Sequence, residues 1–399
     1  MKIIERADYL STLFSLCGTP DIKIITGIRR CGKSVLMQAF AESLHRREPD
    51  TNIININLQD LDLLELKEYR TLHTYCMDHH KKGTRNVIII DEVQLCDHFE
   101  LAVNSLHSKN MFDIYLTGSN AFLLSSDLAT LFTGRTMEVR VFPFSFSEYL
   151  SYFGAGDNID DDFDAYVRAG GLPGAYTYED EKMRYDYVSE VYRTILLRDL
   201  VQKYNIRNRS EFARISDFMQ DNIGNILSAN SICDALNKDQ STITVKTVQK
   251  YISYLENAFL LYGALRYDLK GKKYLRSGEK YYLSDPGIRY AVLGTRNMDF
   301  GRMYENIVYM ELLRRGYHVY VGKLYKNEVD FVAYRQNERS YIQVSDDISS
   351  EKTFKRETSS LLAIPDAYPK LIIARTRHED YYHNGIQIKD LARWLSKNK

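Results

Sequence analysis

Gly27-Ile28-Arg29-Arg30-Cys31-Gly32-Lys33-Ser34 sets two glycines, a lysine and a hydroxyl at the spacing G-x-x-x-x-G-K-[ST]. That spacing suits a polyphosphate. Backbone N–H groups of a glycine-bounded loop converge on an anion, and the start of a following helix adds its dipole. Lys33 would reach the β- and γ-phosphates of ATP, and the Ser34 hydroxyl would sit on Mg²⁺. Candidate nucleotide contacts are therefore Gly27, Ile28, Arg29, Arg30, Cys31, Gly32, Lys33, Ser34 and Val35. Cys31 falls where a helix N-terminus favours thiolate, so alkylation is expected to block nucleotide binding.

Val87-Ile88-Ile89-Ile90-Asp91-Glu92 supplies a second set of groups. Four branched apolar residues end in two carboxylates at the edge where open α/β sheets bind ligands. Asp91 would hold Mg²⁺, directly or through water. Glu92 would orient and deprotonate the attacking water, a role ATP hydrolysis requires. Ile114-Tyr115-Leu116-Thr117-Gly118-Ser119-Asn120 again ends in small polar groups. Either Ser119 or Asn120 contacts the water or γ-phosphate there, or the segment is a plain turn. Phe132-Thr133-Gly134-Arg135 places an arginine that is either a surface residue or a finger for a neighbouring subunit's ATP, with the finger favoured.

Positioning these groups takes alternating strands and helices. Lys23–Thr26, Asn52–Asn57, Val87–Asp91, Ile114–Thr117 and Met137–Phe142 read as strands, and Val35–Leu44 reads as a helix. Strands this apolar predict a parallel sheet covered on both faces. A chain of 399 residues suggests two or three domains. Lys+Arg and Asp+Glu balance at 53 each, so nucleic-acid binding must come from local patches. The five scattered cysteines contain no C-x-x-C pair, which argues against a disulfide framework or zinc site and for a reducing cytosol. Lys2, Glu5, Arg6 and Asp8 interrupt any signal-peptide core, and no apolar run approaches the ~18 residues of a membrane span. Tyrosine is abundant, at 31 residues, and is read mostly as core and helix surface.

The order GIRRCGKS, VIIIDE, LTGSN, TGR, then Val141-Phe142-Pro143-Phe144-Ser145-Phe146-Ser147-Glu148-Tyr149-Leu150, resembles the prokaryotic AAA+ ATPases whose C-terminal region is a domain of unknown function. These are relatives of the archaeal and bacterial signalling-type P-loop ATPases. The resemblance implies an α/β P-loop fold with a parallel five-stranded sheet of order 5-1-4-3-2. It also implies Mg²⁺ at Ser34 and Asp91, Glu92 as base, Asn120 or Ser119 as first sensor, and Arg135 as finger. Gly171-Leu172-Pro173 resembles a lid element in which a proline touches the nucleotide, or it is a simple helix–helix turn. Arg193 and Arg198 are second-sensor candidates by position only.

Four domains are expected: the ATPase at 1–150, a helical lid at 151–209, a winged helix at 210–290 and an α/β nuclease-like domain at 291–399. Ser228–Leu236 and Thr244–Asn257 read as its helix-turn-helix, followed by a hairpin. The wing carries Arg266, Lys270, Lys272, Lys273, Arg276 and Lys280 against Asp268 and Glu279, a charge pattern suited to a phosphate backbone or to a protein partner. The last domain resembles a restriction-endonuclease core with Glu305, Asp330 and Gln343 at the ligand positions and Ser345 where a lysine belongs. Without that lysine, cleavage is not expected; Lys352 or Lys323 are stand-ins that spacing alone does not support. The function expected is Mg²⁺-dependent ATP hydrolysis driving a conformational change, in a cytoplasmic homo-oligomer whose winged helix contacts either DNA or a protein partner. A slow assembly switch and an ATP-gated nuclease are the alternatives.

Overall fold

The computed structural model describes residues 4–118, 132, 134–238, 243–271, 273–294, 299–325 and 327–397. The chain folds as two compact units: Met1–Phe142 with Arg198–Tyr204, and Pro143–Leu197 with Asn205–Lys399.

The first unit is built on strands β1 (Ile22–Thr26), β2 (Asn52–Asn57), β3 (Asn86–Asp91), β4 (Asp113–Thr117) and β5 (Thr136–Arg140). All pair in parallel, in the order β2-β3-β4-β1-β5, which is the expected 5-1-4-3-2 read backwards. Ile22, Ile24, Ile88, Ile90, Ile114 and Leu116 form one core with residues of the helices Tyr69–Asp78 and Phe99–Ser108. Burial on both faces is why these strands read as continuous apolar runs rather than alternating ones. Parallel pairing brings the carboxyl ends of β1, β3 and β4 to one edge, where the phosphate loop, the two acids and Thr117 lie.

The second unit begins with the helices Phe146–Phe153, Ile159–Ala169 and Glu181–Thr194. The first starts in a reciprocal cap between Ser145 and Glu148, the arrangement that satisfies two orphan N–H groups at once. Gly170 and Gly171 follow the second helix. A Cβ on Gly170 would lie 2.1 Å from Asp285 Oδ1, and one on Gly171 would lie 2.3 Å from the Phe144 carbonyl oxygen. Gly171 N–H donates to Asp285 at 2.5 Å. Only glycine fits this approach, so packing within the second unit already accounts for the glycine pair.

Three more helices, Arg209–Asp221, Ala229–Asn237 and Val245–Asn257, precede a hairpin. Its strands are β7 (Leu261–Asp268) and β8 (Lys273–Leu283), and β8 also pairs with the short β6 (Ile226–Leu227). The hairpin does not stand apart. β7 pairs in parallel with β9 (His318–Leu324), which continues into β10 (Asn327–Arg335), β11 (Glu338–Ser345), β12 (Lys370–Ala374), β14 (Ile386–Asp390) and β13 (Tyr381–His383). Among the described residues nine strands thus form one mixed sheet. The helix Glu351–Leu362 covers part of one face through Leu361, which packs with Val332, Tyr341 and Ile372.

Glu256, in the helix Val245–Asn257, is pushed up to about 7, first by burial and then by the neighbouring Glu279 carboxylate. A carboxyl raised in the folded state favours folding most below its unfolded value near 4.5, and that contribution is lost as pH rises through about 7. Glu256→Gln is expected to melt higher than wild type at pH 8 and to converge with it near pH 5. A thermal-melting series across that range checks this; parallel curves would contradict it.

Candidate nucleotide site

The phosphate loop leaves β1 through Gly27, at φ 142°, where a Cβ would sit 2.0 Å from the Val141 carbonyl oxygen. Gly32, at φ 98°, caps the helix Lys33–Arg47 in a left-handed conformation. Both fixed glycines of the motif are thus required by backbone geometry. Lys33 is buried, and its Nζ donates to the carbonyl oxygens of Gly27 at 2.9 Å and Ile28 at 3.2 Å. Ser34 and Val35 are exposed on the first turn. Cys31 is wholly buried, so a reagent reaches its thiol only if the loop opens.

Two residues that local motif reading missed hold the loop from outside. Arg6, itself buried, donates to the Cys31 carbonyl at 3.2 Å and to the Phe142 carbonyl at 2.9 Å. Asp199 takes Arg29 in an ion pair at 3.1 Å. Burial raises the Asp199 carboxyl above its ordinary value; the Arg29 and Arg198 guanidinium groups pull it down, and Glu92 pushes it up. The segment Arg198–Tyr204 belongs to the first compact unit, which brings Asp199 to Arg29 of the phosphate loop.

At the acid edge, Thr117 links the Asp91 carboxylate to the backbone of Glu92. Its hydroxyl donates to Asp91 Oδ1 and accepts the Glu92 N–H at 3.2 Å. Glu92 itself adopts a left-handed conformation, φ 56°, an uncommon state for a residue with a side chain. The Gln94 amide donates to Glu92 Oε2. Thr117 is the last residue of β4, directly before Gly118 and the candidate sensors. Ser119 and Asn120 lie outside the described residues. Arg135 is exposed, and its carbonyl accepts the Ile22 N–H at 2.9 Å, which fixes it at the entry to β5. Pro173 opens a short helical turn, Pro173–Thr177, in the second unit and is buried there.

The three nuclease-like positions do come together. Glu305, Asp330 and Gln343 line one cavity of about 470 Å³ with Glu328, Arg356 and Glu357. The Gln343 amide accepts the Asp330 N–H at 2.8 Å and donates to Glu357 at 2.6 Å. Asp330 also accepts the Val344 N–H at 2.9 Å, and burial followed by Glu305 pushes its carboxyl above its ordinary value. The cation absent at Ser345 arrives from β8. Lys280 Nζ lies 2.8 Å from Glu305, 2.7 Å from Glu328 and 3.8 Å from Asp330. Neither Lys352 nor Lys323 lines this cavity. Lys280 is buried, which removes it from the exposed basic wing where the sequence reading put it. Burial opposes its charge, yet Glu305, Asp330 and Glu328 outweigh burial and hold the ammonium above its ordinary value. Among the described residues no group of three or more His, Cys, Asp or Glu is arranged to hold a metal ion.

Comparison with known proteins agrees with this architecture. A family model described as "AAA domain" matches residues 19–150. A second, "Domain of unknown function (DUF8612)", matches residues 160–299. An uncharacterized protein of Haemophilus influenzae is 33% identical over 398 residues, covering 98% of both chains. An uncharacterized protein of Methanocaldococcus jannaschii is 27% identical over 367 residues, covering 86% of this chain and 79% of its own. Among solved structures, the Walker-type ATPase of Pyrococcus abyssi is similar at 17% identity and a TM-score of 0.46, covering 72% of this chain and 95% of that one. Loop, acid pair and sheet order agree with the family match, and the chain belongs to the AAA-domain P-loop ATPases that carry a domain of unknown function behind the ATPase domain, a family it shares with the Haemophilus protein.

Proposed function

We propose that this chain binds ATP with Mg²⁺ and hydrolyses it to ADP and phosphate, and that hydrolysis drives a conformational change. The observation that carries this reading is the shared edge of β1, β3 and β4, where the loop Gly27–Ser34 lies with Asp91 and Glu92, the Asp91 carboxylate linked through Thr117 to the Glu92 backbone. Ser34 and Asp91 offer a hydroxyl and a carboxylate, a donor set suited to a hard divalent cation. Mg²⁺ would screen the phosphate charge there. Lys33 leaves the Gly27 and Ile28 carbonyls to meet the phosphates. Glu92 accepts a proton from the water that attacks the γ-phosphorus, and the bond to the β-phosphate oxygen breaks.

The ties on Lys33 and Glu92 favour a slow switch over a fast motor. Each turnover must first free the ammonium from two carbonyls and the base from Gln94. We take Arg135 as a finger for a neighbouring copy, Asn120 or Ser119 as the first sensor, and Pro173 as a lid contact. Arg135→Ala is expected to cut turnover about 10³-fold or more while leaving ATP affinity near wild type. Wild-type protein should then assemble with ATP by light scattering. A monomer with full activity would remove that role.

The helices Arg209–Asp221, Ala229–Asn237 and Val245–Asn257 with the β7–β8 hairpin support a winged helix at 210–290, ahead of a nuclease-like domain at 291–399, the lid and ATPase preceding them. Nucleic acid is the partner proposed for its basic hairpin. We read the cavity around Lys280 as inactive in cleavage. An ammonium that already neutralises its carboxylates opposes a divalent cation at the same place. Cytoplasmic location is proposed from five free cysteines, four of them buried.

A further inference from the structure

The sheet face that carries Val332 and Tyr341 continues beyond the helix Glu351–Leu362 as a ladder of tyrosines. Tyr267 on β7 and Tyr274 on β8 stand directly opposite each other, with ring centroids 5.5 Å apart. Tyr274 reaches Tyr320 on β9 at 5.1 Å, and Tyr320 reaches Tyr334 on β10 at 5.9 Å. The rings support one another, but the ladder is not closed over. Tyr274 keeps 58% of its surface exposed, and Tyr325, in the β9–β10 turn, keeps 67%.

Cations are interleaved with these rings. Lys270 sits over Tyr325 at 4.8 Å, and Arg339 sits over Tyr334 at 4.6 Å. Asp268 lies across from Lys273 on one side and Lys323 on the other. Backbone N–H groups, from Gly271 first, with Lys270, Lys273 and Lys323, hold its carboxyl below the ordinary value. Strand alternation puts Lys273, Asp268 and Lys323 on the opposite face of the sheet from Tyr274 and Tyr267, so the cations set against the rings are Lys270 and Arg339. Glu338, farther along, is matched by Arg335 at 3.0 Å.

Exposed tyrosines with a lysine and an arginine set against the rings fit a particular ligand. Unpaired bases stack on the rings while the phosphates meet the cations. A duplex keeps its base faces inside its own stack and offers the tyrosines nothing. We propose that this tyrosine face binds single-stranded nucleic acid. The proposal rests on the nucleic-acid part of the proposed function and names its surface; it is independent of ATP hydrolysis.

The test is fluorescence anisotropy with labelled dT20, rU20 and a 20-base-pair duplex at two salt concentrations. Wild-type protein should bind a single strand, DNA or RNA, more tightly than the duplex. Tyr274→Ala and, separately, Tyr325→Ala should weaken single-strand binding about 5- to 100-fold, and Tyr274→Phe should retain it. Lys270→Glu should lower the affinity and flatten the salt dependence by about one ion. Circular dichroism melting confirms that each variant is folded. Wild-type single-strand affinity in both alanine variants would overturn the proposal, as would no single-strand binding at low salt. Duplex binding that survives Tyr274→Ala without any single-strand preference would remove this surface while leaving a winged-helix contact with DNA in place.

Discussion

Glu92→Gln should bind ATP about as well as the wild type and hydrolyse it roughly 10²- to 10⁴-fold more slowly, the usual loss when a general base is removed. Glutamine keeps the shape of the side chain. Thr117 still accepts the backbone N–H of residue 92, and Asp91 still receives the Thr117 hydroxyl, so the edge of β3 and β4 keeps its form. What is lost is the capacity to take a proton from water. Lys33→Ala should behave differently, because the ammonium meets phosphate in the ground state as well as the transition state: affinity falls along with turnover. Phosphate release under single-turnover conditions, alongside equilibrium binding, separates the two. Wild-type hydrolysis in Glu92→Gln would remove Glu92 from the role of base. A variant of Gln94, such as Gln94→Ala, gives the opposite sign by freeing the base from its amide partner.

Lys280→Met should destabilise the second unit by about 3–5 kcal/mol, the cost of leaving buried charges without their counter-ion. Three carboxylates converge on this ammonium. Methionine fills the volume but abandons them. Lys355→Met is the matching control. Its pair with Glu351 is solvent-exposed on both sides, and exposed pairs contribute about 0–1 kcal/mol. Urea unfolding of both variants gives the comparison. Equal stabilities, with nucleic-acid binding lost only in Lys280→Met, would return Lys280 to the surface role that charge counting along the wing suggested.

These two sites show which features of the molecule were legible in the chain. The phosphate loop is a local device. Its glycines are fixed by backbone geometry within a few residues, and its strand and helix flank it directly, so G-x-x-x-x-G-K-[ST] was sufficient. Asp91 and Glu92 were legible because four branched apolar residues announce a buried strand and the polar residues after it mark its end. The sheet order followed from resemblance rather than from any pattern in the residues. Asp199 was not legible. Its partner Arg29 lies 170 positions away in the chain, and nothing local to ILLRDL announces an ion pair. Lys280 was misplaced for a related reason. Counting charges along the hairpin treats every lysine as exposed, but strand alternation turns this one inward, toward Glu305 on the helix Phe300–Arg314. The tyrosine ladder spans four strands, so only the pairing of β7 with β9 brings it together.

The claim beneath the rest is that the loop Gly27–Ser34 and the acids Asp91 and Glu92 make one site for ATP with magnesium. Isothermal titration of the folded wild-type chain with ATP tests it most directly, with Mg²⁺ and with EDTA, and with Lys33→Ala in parallel. Saturable binding that is strengthened by Mg²⁺ and lost in Lys33→Ala is the predicted result. No heat and no saturation with ATP or ADP in the presence of Mg²⁺ would contradict it.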